Sequence, residues 1–173
     1  EACKVEIDLV KSPIGKQDQY AASFGGINTY TFKKNEDVTI RKFSDKSVIK
    51  SLKSNLLVVN TGTSKKNFSA LLEQKKNIMQ GGKYLDNLRF INDSVEIFKE
   101  NMIKRNFKLC GQILHENWRR KTDLFKKRNN LLFQEIYLES LKSGAYGGKI
   151  CGAGNRGFLL LICPPRNHKT IRR

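Results

Sequence analysis

The stretch that most restricts what this chain can fold into runs over residues 144–165, GAYGGKICGAGNRGFLLLICPP. Glycines at 144, 147, 148, 152, 154 and 157 lead straight into the apolar run FLLLIC, residues 158–163. A glycine-rich turn admits positive φ and lets another group approach the backbone, so it is a candidate cradle for an anion. The apolar run has the length and composition of a strand buried on both faces, and Pro164 and Pro165 end it.

Two phosphate motifs can be tested on this turn and both fail. Gly152, Gly154 and Gly157 spell G-x-G-x-x-G. The dinucleotide fingerprint needs a helix after the glycines and an acidic residue about 20 positions further on. Here a strand is expected to follow, and no Asp or Glu occurs after Gly157. A P-loop requires Lys and then Ser or Thr, where this chain has Phe158. Two readings stay open on the glycines alone: a phosphate-facing turn, or a tight connection into a core strand.

Charge and cysteine usage narrow the class. Basic residues number 33 and acidic ones 16, a net +17. They are spread over the whole length, mostly as Lys, without the aromatic interleaving of a stacking platform or any finger, RNP or KH signature. No specific nucleic-acid partner is expected. Cys3, Cys110, Cys151 and Cys163 show no C-x-x-C spacing and have only His115 and His168 beside them. A metal site is therefore not expected, and reduced thiols in a cytoplasmic protein are the reading. No apolar run approaches the roughly 20 residues of a membrane span, so no membrane partner is expected either. Nothing in the sequence specifies an oligomeric state. The chain opens at Glu1 in what reads as the middle of a helix, and is expected to be a piece of a longer protein.

Along the chain, residues 2–10 carry an apolar face and read as the end of a helix that stops before Pro13. Residues 12–17 read as a loop, and 18–24 as a short helix ended by Gly25 and Gly26. NTYTF at 28–32 and VTIRKF at 38–43 alternate like the strands of a hairpin. The polar, Lys- and Ser-rich passage 46–54 marks a domain boundary, dividing the chain into 1–46 and 47–173. LLVV at 56–59 is expected to be a buried strand, followed by a turn at 60–64 and a helix at 68–74 that Gly81 and Gly82 break. A long helix is expected from Asp93 or Ser94, with Val95, Phe98, Met102 and Leu109 at helical spacing. Further helices are expected over 108–123 and 131–142, and 166–173 reads as the start of another.

The second informative stretch is residues 13–26, PIGKQDQYAASFGG. Asp18 sits where loop becomes helix, at the positive end of the helix dipole and two residues from Lys16. Both neighbours favour the ionised carboxylate, which suits a group that accepts or orients a proton. Asp18 as a plain N-cap is the alternative.

Taken together, the two stretches resemble the GHMP small-molecule kinases, and within them the branch acting on D-glycero-D-manno-heptose 7-phosphate. The order between them fits as well: LLVVNTG, then a helix with HENWRRK, then a helix into the glycine turn. The resemblance implies an α+β fold: the end of a ribosomal-S5-like domain, then a ferredoxin-like GHMP C-terminal domain. It implies transfer of the γ-phosphoryl of ATP, with Mg2+, to a hydroxyl of a sugar or sugar phosphate. Asp18 matches the family's proton-accepting acid, and Gly152, Ala153, Gly154 and Gly157 match its third motif, a loop beside the phosphates and substrate. Acid and turn are expected to face one cleft. Gln17, Gly26, Lys16, Lys121 and Lys149 are candidate substrate or phosphate contacts, each lysine having a solvated surface role as its alternative.

Departures accompany the resemblance. The family's Gly- and Ser-rich nucleotide loop is expected ahead of residue 1, so the isolated chain is expected to turn over little. Asn155 and Arg156 stand where the family carries small residues. A non-catalytic remnant or basic binding module that keeps the fold without the activity is the alternative function.

Overall fold

The protein is described by a computed structural model over residues 1–61, 68–123, 131–151 and 157–172. The chain divides into two compact units, Glu1–Ile49 and Lys50–Arg173.

The first unit opens with residues 2–9 in helical conformation, wound as a π-helix over Lys4–Leu9. Lys11 at φ 56° reverses the chain before Pro13. Helix α1, Gln17–Phe24, ends at Gly25, whose φ of 57° needs no β-carbon out of the way. Strands β1, Ile27–Phe32, and β2, Val38–Phe43, pair antiparallel with Tyr30 opposite Ile40 and Phe32 opposite Val38. The helix lies on this hairpin through its aromatics. Tyr20 meets Phe32 edge-on at 5.7 Å between centroids and Tyr30 at 6.1 Å, and stacks on Phe24 at 6.0 Å. Such pairs add about 0.5–1.5 kcal/mol each beyond area burial.

Helix α2, Lys46–Ser54, occupies the passage expected to be a polar boundary. Its polar residues conceal an amphipathic pattern: Val48 and Leu52, one turn apart, are 3% and 7% exposed. Asp45 caps it, its carboxylate accepting from the backbone N–H of Ser47 at 2.9 Å and of Val48 at 3.0 Å. The two compact units part inside this helix, between Ile49 and Lys50.

The second unit is built on a three-stranded antiparallel sheet in the order β3-β5-β4, with β3 at Leu56–Asn60, β4 at Gly147–Ile150 and β5 at Phe158–Ile162. The register aligns Leu57, Leu161 and Gly148 in one row and Val59, Leu159 and Ile150 in the next. This face packs against α5, Phe107–Asp123, and α6, Leu131–Lys142, through Trp118, Phe133 and Tyr137. Leu159, Leu161 and Cys163 are fully buried there. Complete burial stabilises a leucine by about 1.5–3 kcal/mol.

Period-two alternation corrects the expectation for LLVV. Leu57 is buried, but Val58 points with Leu160 and Lys149 to the other face and is 56% exposed. Within the glycine-rich stretch, residues 147–150 form strand β4, which the sequence did not suggest. GGKI has little intrinsic strand preference, and its pairing with β5 is what extends it.

Helix α3, Phe68–Met79, is followed by Gly81 and Gly82 at φ 73° and 60°, and α4 runs over Lys83–Ile103. The start expected at Asp93 or Ser94 is thus mid-helix. Ser94 is buried and turns its hydroxyl back to the Ile91 carbonyl at 2.7 Å, while Asn117 of α5 donates to it at 2.8 Å. The buried residues of α4 are Asn87, Ser94 and Met102, whereas Val95 is 46% exposed. The buried face of α4 thus mixes two polar residues with Met102, and Val95 falls outside it; Leu109 belongs to α5. The chain ends in a 3-10 turn, Pro165–Asn167, and helix α7, His168–Ile171. Among the described residues no helix is long and apolar enough to cross a membrane.

Candidate active site

In the first unit, Asp18 is the second residue of α1 and is exposed, with no hydrogen bond or ion pair among the described residues. The N-cap position is Lys16, which makes no capping bond, so Asp18 is not the N-cap. It lies in the first turn instead, where the dipole stabilises a negative charge by about 0.3–1 kcal/mol. Lys16 does not serve it. The ammonium pairs with Glu36 at 3.2 Å, and this hydrogen bond raises the lysine pKa. Gln17 is exposed at the first helical position. Gly26 enters β1 at φ 69°, a conformation glycine adopts without strain.

A residue the sequence reading passed over is Gln19. It is only 8% exposed and donates its amide N–H to the Glu6 carboxylate, tying α1 to the helix before it. Its Oε1 is buried without a hydrogen-bond partner among the described residues. Gln19 therefore turns inward and leaves the adjacent Asp18 facing solvent. The signal was present in Q-D-Q, where residues next to each other on a helix lie about 100° apart.

In the second unit, Gly152, Ala153 and Gly154 lie outside the described residues, as do Asn155 and Arg156. Gly157 is described, at φ 125°, immediately before β5. Lys149 stands exposed on β4, paired across the ladder with Leu160. Lys149 and Gly157 thus belong to one hairpin, closed where the Cys151 N–H donates to the Phe158 carbonyl at 2.8 Å. Lys121 is half-buried in the last turn of α5.

The strand entering the turn is held from behind. Gly147 and Gly111 of α5 approach so closely that a β-carbon on Gly147 would lie 2.0 Å from the Gly111 carbonyl oxygen. Next to this contact, His115 Nδ1 and the Tyr137 hydroxyl are hydrogen-bonded at 2.7 Å, and that hydroxyl reaches the Gly148 carbonyl at 3.4 Å. Burial pushes the Tyr137 phenol up to about 12, so it is neutral at any physiological pH. The basic residues after Trp118 are engaged structurally. Arg119 and Arg120 bind Glu116 at 2.8 and 2.7 Å, and Arg120 lies 3.7 Å over the Phe90 ring. Among the described residues no group of three or more His, Cys, Asp or Glu could hold a metal ion.

No family model matches the chain. It is 32% identical over 152 residues to a D-glycero-alpha-D-manno-heptose 7-phosphate kinase of Campylobacter jejuni, covering 87% of this chain and 44% of that protein. A D-glycero-D-manno-heptose 1-phosphate kinase from Bacteriodes thetaiotaomicron superposes over 98% of this chain and 45% of its own, with TM-score 0.61 and 22% identity. A mevalonate kinase of L. major does so over 90% and 46%, with TM-score 0.70 and 18% identity. The chain thus spans just under half the length of these proteins. Its fold is α+β, the end of a ribosomal-S5-like domain followed by a ferredoxin-like one. The 32% identity sustained over 87% of the chain and these likenesses together support a GHMP kinase, of which this chain is a C-terminal portion.

Proposed function

We propose that the intact protein is an ATP-dependent kinase that phosphorylates a sugar or sugar phosphate of the heptose 7-phosphate type. The observation that carries this reading is the 32% identity to a heptose 7-phosphate kinase, sustained over 87% of the chain. Asp18 is assigned the acceptor's proton: its carboxylate is exposed, unpaired among the described residues, and set in a helix's first turn. As the acceptor oxygen attacks the γ-phosphorus, its proton passes to Asp18, the bond to the β–γ bridging oxygen breaks, and ADP leaves. Phosphoryl transfer of this kind depends mainly on positioning and charge neutralisation. The turn with Gly152, Ala153, Gly154 and Gly157 is assigned to the phosphates and substrate. A glycine-rich turn lets an anion approach the backbone closely.

Gln17, next to Asp18, and Gly26, beyond the far end of α1, are assigned to the substrate. Lys149, exposed on the hairpin, is the lysine best suited to a phosphate, since an ammonium binds phosphate as a point charge. Lys16 is less suited, being held by Glu36, and Lys121 is an auxiliary candidate. Mg2+ accompanies the nucleotide and would neutralise charge on its phosphates.

The experiment is phosphoryl transfer from Mg·ATP to heptose 7-phosphate and a panel of sugar phosphates by the intact protein and its Asp18→Asn variant. The variant is expected to lose about 10²–10⁴ in rate. It should lose no more than about 1 kcal/mol of stability, because only the helix-dipole interaction is removed. Turnover by the variant at the wild-type rate would sink the assignment.

A further inference from the structure

The first turn of α1, which carries Asp18, lacks the usual brace of a helix start, because Lys16 at the N-cap makes no capping hydrogen bond. Two side-chain ties stand in its place. Lys16 pairs with Glu36, between β1 and β2, at 3.2 Å. Gln19 donates its amide N–H to the Glu6 carboxylate. Residues three or four apart share a helix face, so Lys16, Gln19 and Tyr20 lie on one side of α1 and Asp18 lies opposite. The braced side thus decides where the Asp18 carboxylate points.

The partner of Gln19 stands in unusual backbone. Glu6 belongs to the π-wound stretch Lys4–Leu9, and π winding is rare and concentrated at functional sites. The Val10 N–H donates to the Val5 carbonyl and the Ser12 N–H to the Glu6 carbonyl, each at 3.0 Å. Glu6 therefore holds the chain reversal at Lys11 through its backbone and α1 through its side chain.

Packing alone does not account for Gln19. Among residues 1–47 it is the only buried one, so an amide occupies the place a hydrophobe would ordinarily take. A carboxylate only accepts, so the amide nitrogen must face Glu6 and the amide oxygen turns inward. That oxygen has no hydrogen-bond partner among the described residues. A buried acceptor left open costs stability, and a methionine of similar length would fill the space without that cost.

We propose that Gln19 is a positioning residue for Asp18, bracing the first turn of α1 against Glu6 so that the carboxylate meets the acceptor hydroxyl. This rests on the kinase reading for the reaction, whereas the brace itself is independent of it. Gln19 is buried, does not meet substrate, and acts through α1.

The test uses Gln19→Met, which keeps the length and loses both polar atoms. Amide exchange at Tyr20, whose N–H donates to the Lys16 carbonyl at 3.2 Å, is followed by NMR on this same chain. It should speed up roughly five- to tenfold, the size expected for one lost hydrogen bond. The Cys163 N–H, bonded to the Asn55 carbonyl in the second unit, should not change. The urea midpoint should move little, because the open acceptor leaves together with the hydrogen bond. In the intact protein, kcat for phosphoryl transfer from Mg·ATP to a sugar phosphate should fall roughly ten- to a hundredfold, the penalty of a misplaced group. KM for Mg·ATP should stay within about twofold of wild type. Glu6→Ala should reproduce these effects, Glu6→Gln, which keeps an acceptor, should not, and the double variant Gln19→Met/Glu6→Ala should be no worse than either single one.

Unchanged Tyr20 exchange in Gln19→Met overturns the brace, and additive effects in the double variant overturn its action through Glu6. Faster exchange with undiminished kcat overturns the positioning role, as does a fall in kcat that only follows a lowered urea midpoint. A brace that behaves as expected in a wild type that transfers no phosphoryl group when intact means that the kinase reading has failed, and the positioning role with it.

Discussion

Replacing Gly147 by alanine tests whether the approach of helix α5 to strand β4 supports the hairpin that carries the glycine turn. The added β-carbon would lie 2.0 Å from the Gly111 oxygen, 2.6 Å from its carbonyl carbon and 3.0 Å from the β-carbon of His115. Two of those atoms are backbone, so rotating a side chain cannot relieve the clash; helix and strand must separate. Overpacking of this kind costs about 1–3 kcal/mol. Gly147 also has φ 153°, where an L side chain is strained by about a further 1–3 kcal/mol. The expected loss is therefore about 2–6 kcal/mol, against a typical stability of about 5–15. The single tryptophan reports on it: Trp118 meets Phe133 edge-on at 5.6 Å and packs against the same core. Urea unfolding followed by its fluorescence should show a much lower midpoint for Gly147→Ala. Gly15→Ala is the control, since a β-carbon there meets nothing within 4 Å, and it should stay within about 0.5 kcal/mol of wild type. Gly111→Ala intrudes on the same contact, 2.5 Å from the Tyr146 β-carbon, so the double variant should cost less than the sum of the singles. A Gly147→Ala protein as stable as the control would refute the argument.

Two further predictions concern pH. Burial holds Tyr137 up to about 12, from 10.0, and Cys110 and Cys163 up to about 11, from 9.0. Folded values above unfolded ones mean that this stability is complete below pH 9.0 and is lost as pH rises through about 11 to 12, so thermal midpoints should fall across that window. A flat profile there would contradict the burial of these groups. Hydrogen bonds first from Arg119 and then from Arg120 hold the Glu116 carboxyl down to about 2, from 4.5. Its contribution is present above 4.5 and lost as pH falls toward 2, and Glu116→Gln should flatten that part of the acid limb. The partly exposed pair limits the effect to about 1 kcal/mol or less.

Short-range features of the fold were legible. Gly25 and Gly26 ended α1 as expected, the two alternating runs paired as a hairpin, and Leu131–Lys142 is the helix its spacing announced. These depend on turn chemistry and periodicity over a few residues, where the chain carries its own instructions. Where partners lay far apart, the reading faltered. The polar passage at 46–54 concealed a helix because two buried residues, Val48 and Leu52, suffice to define its inner face. Ser94 looked like a cap because its alternative partner, Asn117, lies on another helix.

The candidate site divides in the same way. From sequence alone came the chemistry: an acid at a helix start, a late glycine turn, and the joint pattern that marks the family. Residue type and spacing are enough for that, because they set what a group can donate, accept or accommodate. Only tertiary structure decided that Gln19 turns inward while Asp18 faces solvent, that Lys16 is committed to Glu36, and that Thr61 holds Gly157. The physical reason is that a hydrogen bond forms within about 3 Å, and only folding brings residues 96 positions apart to that range.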